Sequence, residues 1–353
     1  MAAIDRLLWR ADKPGKISDL HLVSDRLPPP SSGEVRVAIK AIGLNFADVF
    51  TCLGLYSASP KGNYTPGLEF AGLIEAVGVG VSEKQIGRKV FGITRFGAYA
   101  SHINANLKYV QDVPEGWSFT EAAAFPVQGL TIIYAIRELG DMKQGQTLLL
   151  HSAAGGCGSL ALGICKELKI NVIGTVGHAN KVHHLISRWG PDFLPEDRII
   201  LRKGGNKIFK EQLLSVLSQM GSEGVDCVLD AIQGDYFHPG YEVLVRGGRY
   251  VVYGAASMTP PGNSPNWLSL AWKYLKRPVL DPLKMMSDNK SVMAFNLIWM
   301  FDKVEKMESL LQELQALNLE APLVGETFEF QNAQAALKKL QSGLTIGKVV
   351  ITC

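Results

Sequence analysis

What this sequence lacks narrows its identity before any motif is read. Cysteine is scarce and scattered: Cys52, Cys157, Cys165, Cys227 and Cys353 are odd in number and never stand as C-x-x-C. That usage offers no disulfide framework and points to a reducing compartment. Histidine is equally dispersed. Of the seven, only His183 and His184 adjoin, and helix neighbours point about 100° apart, so they make no chelating pair. No apolar run reaches the roughly 18 residues of a spanning helix, and the opening MAAIDRLLWR lacks a signal-peptide core. The expectation is a cytoplasmic protein without an integral membrane segment, with peripheral association left open. An excess of charge is missing too. Against 36 basic residues stand 33 acidic ones, for a net +3 with no basic tract, so no nucleic-acid partner is expected.

What is present is glycine, 36 residues of it, in a chain of 353 residues that is 47% apolar and long enough for two domains. The stretch from Thr147 to Lys181 organises the rest. Thr147 to Leu150 is a short apolar run, as a strand buried on both faces should be. Ser152-Ala153-Ala154-Gly155-Gly156-Cys157-Gly158 is a turn nearly free of side chains. Cys157, Leu160, Ala161, Ile164, Cys165 and Leu168 then fall on one helix face, and Asn171 to Val176 is a second strand. This βαβ unit has a glycine-rich first crossover, with alanine in the first place of G-x-G-x-x-G: Ala153-x-Gly155-x-x-Gly158. Such a loop lets a pyrophosphate approach the N–H groups of a helix end. Ala154, Gly155, Gly156 and Cys157 are its expected contacts.

An NAD site usually carries Asp or Glu about 20 residues further on, to bond the ribose hydroxyls. Here that place reads Thr175-Val176-Gly177-His178, followed by Asn180 and Lys181. No carboxylate there repels a 2′-phosphate, and Lys181 supplies positive charge worth roughly 1.5–3 kcal/mol in a charge-assisted bond. Thr175, Gly177 and Lys181 are therefore expected at the cofactor, and NADPH is favoured over NADH. The competing reading makes Lys181 a solvated residue at a helix start.

Upstream the chain reads as β-rich. Glu34 to Ala41 alternates as a half-buried strand, and Glu69 to Val77, Lys89 to Ile93 and Tyr99 to Asn104 are further strands. Ser118-x-x-Glu121 is a capping box opening a helix that Pro126 stops, and a second helix is expected from about Gln128 to Leu139. Downstream, Val182, Leu185, Ile186 and Trp189 make a helix face. Strands follow at Arg198 to Leu201, Val225 to Asp230, Arg249 to Tyr253 and Ser291 to Leu297, the last as sixth strand. Trp267 to Leu275 and Asn332 to Leu340 read as helices, and Lys348 to Thr352 as a closing strand. Alternating βα units imply a doubly wound parallel sheet of Rossmann type. The expected plan is an α/β chain: a β-rich domain of residues 1–127 and 298–353, with a nucleotide domain of 128–297 inserted.

Several blocks, spread in order over nearly the whole chain, resemble the medium-chain dehydrogenase/reductase superfamily in its zinc-free quinone-oxidoreductase branch. They are Gly43-Leu44-Asn45-Phe46-Ala47-Asp48, Gly54-Leu55-Tyr56, Pro66-Gly67-Leu68-Glu69, Ala153 to Gly158, and Gly347-Lys348-Val349-Val350. The Phe295-Asn296-Leu297 block is similar to the vesicle amine-transport protein homologues within that branch. The resemblance implies a GroES-like catalytic domain beside the Rossmann domain. It also implies a homodimer through the sheet edge near Arg249 to Tyr253. Zinc members have a cysteine ligand at the place of Asn45 and a His-Glu pair at Leu68-Glu69, so no metal is expected here.

By the same resemblance Asn45 and Tyr56 are the catalytic and substrate-binding pair. Asn45 would hold a carbonyl oxygen, and Tyr56 would donate a proton or stack on a planar ring, with water the other proton source. Asp48 reads as a helix cap. Thr131 would lie near the carboxamide, Tyr253-Gly254 beside the nicotinamide, and Lys348 would reach the cofactor from the other domain. Relatives often place a tyrosine after the third strand; Arg202 stands there, either turned inward to a 2′-phosphate or solvated. Phe295 and Asn296 would line the substrate mouth. The leading expectation is NADPH-dependent, zinc-independent reduction of a small quinone or α,β-unsaturated carbonyl. The alternative is an NADPH-binding regulatory or vesicle-trafficking protein with little turnover.

Overall fold

The computed structural model describes residues 2–353. The first third of the chain forms β1 (Ile4–Arg10), β2 (His21–Leu27), β3 (Glu34–Gly43), β4 (Glu69–Val77), β5 (Lys89–Ile93), β6 (His102–Asn106) and β7 (Val110–Asp112). The middle supplies β8 (Thr147–Leu150), β9 (Asn171–Val176), β10 (Ile199–Leu201), β11 (Val225–Asp230), β12 (Leu244–Val252) and β13 (Ser291–Ala294). The chain ends on β14 (Val324–Glu329) and β15 (Lys348–Thr352).

β8 to β13 pair in parallel in the order β10-β9-β8-β11-β12-β13. Counted from β8 this is the doubly wound order 3-2-1-4-5-6, which opens a crevice at the carboxyl ends where the winding reverses. Leu148, Leu149 and Leu150 have no exposed surface, which is why the run is apolar without alternation. The second sheet runs β14-β15-β3-β4-β5-β7 with β6 also paired to β3, so the last strand of the chain inserts beside β3, from its first third. The doubly wound Rossmann sheet beside a β-rich body is the expected fold class.

Several details correct the expectations. β3 is buried on both faces save at Glu34 and Lys40, and its Arg36 is only 4% exposed while donating to Pro28 O at 2.7 Å. The Ser118–Glu121 capping box forms as expected, but Pro126 does not stop that helix. Pro126 begins the next one, Pro126–Ile133, where its missing N–H is harmless, and a π-helical turn Tyr134–Leu139 continues it. The sixth strand ends at Ala294. Arg249 to Tyr253 is not a sheet edge, since β13 pairs outside β12 and the open edge is Ser291–Ala294. Among the described residues no helix is long and apolar enough to cross a membrane.

Candidate active site

The carboxyl ends of the parallel strands and the rim of the second sheet enclose a cavity of about 1180 Å³. That exceeds the roughly 300–1,000 Å³ of ordinary ligand pockets, which leaves room for an extended ligand and a second molecule. One wall is built from the loops that follow the strands: Ala154 to Gly158 after β8, Gly177 and Lys181 after β9, Arg202 after β10, Tyr253 and Gly254 after β12, and Phe295 and Asn296 after β13. The facing wall holds Asn45, Tyr56, Leu68, Thr131 and Lys348. With Thr175 just behind the wall, the cavity gathers the site residues expected from the sequence.

The glycine loop separates packing from ligand access. Gly155 is the N-cap of the helix Gly156–Glu167. A Cβ on Gly158 would lie 2.3 Å from Ser152 O, so glycine there is required for helix and strand to meet. A Cβ on Gly155 would meet nothing closer than Ser152 O at 3.4 Å, and its φ is −79°, so the fold makes no such demand there. Bare backbone at 155 is explained by something approaching from the cavity. Gly347 N–H donates to Ala154 O at 2.9 Å and ties this loop to the facing wall. Burial pushes the Cys157 thiol up to about 12, so it stays protonated.

At the far end two cations stand with no carboxylate in ion-pair contact among the described residues, Asp230 acting on Arg202 only from a distance. Lys181 is 8% exposed and donates to Gly343 O at 2.8 Å. Arg202 donates to Thr175 Oγ1 at 2.7 Å, and its guanidinium lies 5.4 Å from the Tyr236 ring centre. Burial lowers Arg202 to about 10, and burial followed by repulsion from Arg202 lowers Lys181 to about 8. Both therefore turn inward, not into solvent. Among the described residues lining the cavity none is Asp or Glu. Two desolvated cations with neutral partners make an anion site. Thr175 Oγ1 also meets His151 Nδ1 at 3.1 Å; burial holds that imidazole down at about 4, hence neutral.

At the opposite end the third cation is neutralised. Lys348 Nζ lies 2.5 Å from Glu69 Oε1, with side chains 1% and 0% exposed, and donates to Asn45 Oδ1 at 2.9 Å. Asn45 Nδ2 donates to the same Glu69 Oε1 at 2.7 Å. Glu69 Oε2 accepts from Val127 N at 2.8 Å, at the start of the helix Pro126–Ile133, where the helix dipole favours a carboxylate. Gly43 leaves the space: a Cβ there would be 2.6 Å from Glu69 Oε1. The backbone of Asn45 is the N-cap of the helix Phe46–Cys52, its N–H donating to Asp48 Oδ2 at 2.8 Å. Burial raises Asp48 to about 7. Lys348 lines the cavity, and its ammonium is held there by Asn45 and Glu69.

Tyr56 and Asn296 meet across the mouth. The phenol donates to Asn296 Oδ1 at 2.7 Å, and burial lifts the phenol to about 12. Phe295 packs edge-on against Tyr134 at 4.9 Å between ring centres. Thr131 faces the cavity while its hydroxyl donates to Val127 O at 2.7 Å. Sequence reasoning treated Glu69 only as a displaced ligand position and assigned nothing to Gln128 and Tyr236, which line the cavity. The available signals were a carboxylate at the head of β4, followed by the apolar run Phe70 to Ile74, and a lone lysine heading the apolar strand β15.

Among the described residues no group of three or more His, Cys, Asp or Glu is placed to hold a metal ion, and Glu69 is engaged by an ammonium and an amide. Two family models match the chain: the alcohol dehydrogenase GroES-like domain over residues 31–133, and the zinc-binding dehydrogenase over residues 204–351. The synaptic vesicle membrane protein VAT-1 homolog of Danio rerio is 31% identical over 329 residues, covering 92% of this chain. The chain spans only 65% of that relative's length. The Escherichia coli quinone oxidoreductase complexed with NADPH superposes with a TM-score of 0.79 at 25% identity, covering 98% of this chain and 100% of that one. The CurK enoyl reductase superposes with a TM-score of 0.78 at 25% identity, over 98% and 99%.

Proposed function

The chain belongs to the medium-chain dehydrogenase/reductase family, and from that premise we propose that it is an NADPH-dependent, zinc-independent reductase of quinones or α,β-unsaturated carbonyls. The observation that carries this is the division of one carboxylate-free cavity into an anion site with two unneutralised cations and an acceptor end presenting an amide. Lys181 and Arg202 would hold the 2′-phosphate, and Gly155 to Cys157 the pyrophosphate, with Thr175 and Gly177 shaping the ribose end. Thr131, Tyr253 and Gly254 would flank the nicotinamide. When bound, NADPH supplies the hydride. The names of the solved relatives, a quinone oxidoreductase with NADPH and an enoyl reductase, support the same chemistry.

At the acceptor end Asn45 polarises the carbonyl. One N–H of its amide is taken by Glu69, and the second is directed to the acceptor oxygen, where negative charge grows as the alkene or quinone carbon gains hydride. Tyr56 keeps its proton on Asn296, so water protonates the product and Tyr56 and Asn296 shape the mouth with Phe295. The unit with β8 to β13, residues 128–297, binds the nucleotide, and residues 1–127 with 298–353 form the catalytic body. Conjugated acceptors suit the site because the electrons displaced by hydride come to rest on an oxygen.

The test mixes purified protein with NADPH and 1,4-naphthoquinone, then with a 2-alkenal, and follows the nicotinamide absorbance. Acceptor-dependent loss of absorbance, insensitive to a chelator, is the expected result. Tight NADPH binding with no acceptor consumed would instead favour a regulatory or trafficking role, the reading supported by the name of the zebrafish relative.

A further inference from the structure

Asn45, Glu69 and Lys348 come from three distant parts of the chain, yet together they fix one amide. Lys348 is 2% exposed, Glu69 0% and Asn45 8%, so no bulk water competes for their bonds. An amide has two flips that place oxygen and nitrogen oppositely. An ammonium only donates and a carboxylate only accepts. With Lys348 Nζ 2.9 Å from one amide atom and Glu69 Oε1 2.7 Å from the other, one flip satisfies both and the other offends both. Oxygen must face Lys348 and nitrogen Glu69, which leaves the second N–H of Asn45 as the group presented elsewhere.

We propose that Lys348 is the positioning residue for Asn45, its ammonium locking the amide in the flip that shows an acceptor oxygen an N–H rather than a carbonyl oxygen. The proposal deepens the reductase reading and rests on it for its catalytic consequence. Glu69 is the other half of the lock. It holds the amide nitrogen and balances the ammonium, and its second oxygen is anchored on Val127 N. Lys348 begins β15, whose neighbour β3 runs into Asn45, so the lock is built between adjacent strands of one sheet and not across the cavity.

The test uses the full chain in two variants. Lys348→Met removes the ammonium and leaves Glu69 buried without its partner. The double variant Glu69→Gln/Lys348→Met removes both charges and guards against a failure to fold. Neutron diffraction from crystals of the folded variant, which tells the deuterated amide nitrogen from the oxygen, shows whether the Asn45 amide has left its wild-type flip or position, and steady-state kinetics give kcat and the KM for NADPH separately. The expected result is a flipped or displaced amide and a kcat lower by roughly 10²-fold, the scale of a misplaced polarising donor, with the KM for NADPH unchanged. An amide that keeps its flip and position, an unchanged kcat, or a fall confined to the KM for NADPH overturns the proposal. If the wild type itself turns over no acceptor, the reductase reading falls, and the position of the amide alone decides whether Lys348 holds it.

Discussion

The two ends of the cavity treat positive charge in opposite ways. At the nucleotide end Lys181 and Arg202 are desolvated and meet only a carbonyl, a hydroxyl and an aromatic ring. At the acceptor end Lys348, 2% exposed, sits 2.5 Å from Glu69. Buried charge without a partner is unfavourable, so a fold that leaves two such cations together does so because a ligand completes them. Buried charge with its partner in place orders the side chains around it. The first pair therefore speaks about what binds, and the second about what is held still.

That contrast breaks most visibly in stability. Lys348→Met strands Glu69 and should cost about 3–5 kcal/mol, the scale for opening a buried ion pair, whereas Lys181→Met removes a desolvated charge that has no carboxylate partner and should leave stability unchanged or raise it. Urea unfolding of both variants without ligand checks this, and equal losses would erase the distinction. Next in size, Arg202→Ala should weaken NADPH by about 1.5–3 kcal/mol, the value of hydrogen bonds to charged groups, and leave NADH nearly unaffected. Fluorescence titration of each cofactor reads this directly. The glycine loop supplies a smaller pair of effects. Gly158→Ala should cost about 1–3 kcal/mol of stability by overpacking, because its Cβ would press on Ser152 O. Gly155→Ala should fold normally and lose cofactor affinity.

The smallest effect is a dependence on pH. Lys181 titrates at about 8 in the free protein, lowered first by burial and then by Arg202, against an ordinary 10.5. Bound phosphate requires the protonated form, so NADPH affinity should be level below about pH 7.5 and decline above about pH 8, as protons must be taken up on binding. Isothermal titration between those limits, with Lys181→Met as the flat control, measures the uptake. For stability the sign is opposite. A cation whose folded value lies below its unfolded one burdens the fold fully below about 8, and the burden lifts as pH rises from there to 10.5.

Much of this was legible in the sequence because the signals were local. The apolar run Thr147–Leu150, the bare loop after it and the helix face from Cys157 define a βαβ unit without any distant information. The absence of a carboxylate near Lys181 was equally readable. What could not be read were pairings between distant residues. Glu69 and Lys348 are 279 positions apart (348 − 69) and become partners only because β15 inserts beside β3. The same kind of non-local fact misplaced the sheet edge, since nothing in Arg249 to Tyr253 announces that Ser291–Ala294 will pair outside it. Pro126 reads equally as the residue after one helix or the first of the next, because proline fits both places, and only the fold selects the second.

The central claim is that the paired, unneutralised cations Lys181 and Arg202 exist to bind a 2′-phosphate. Parallel titrations of the wild-type protein with NADPH and NADH at pH 7 test it most directly. The account predicts that NADPH binds at least about tenfold more tightly, one charge-assisted bond's worth, and that the double variant Lys181→Met/Arg202→Ala abolishes the difference. Equal affinities in the wild type, or a preference that survives the loss of both cations, would contradict it.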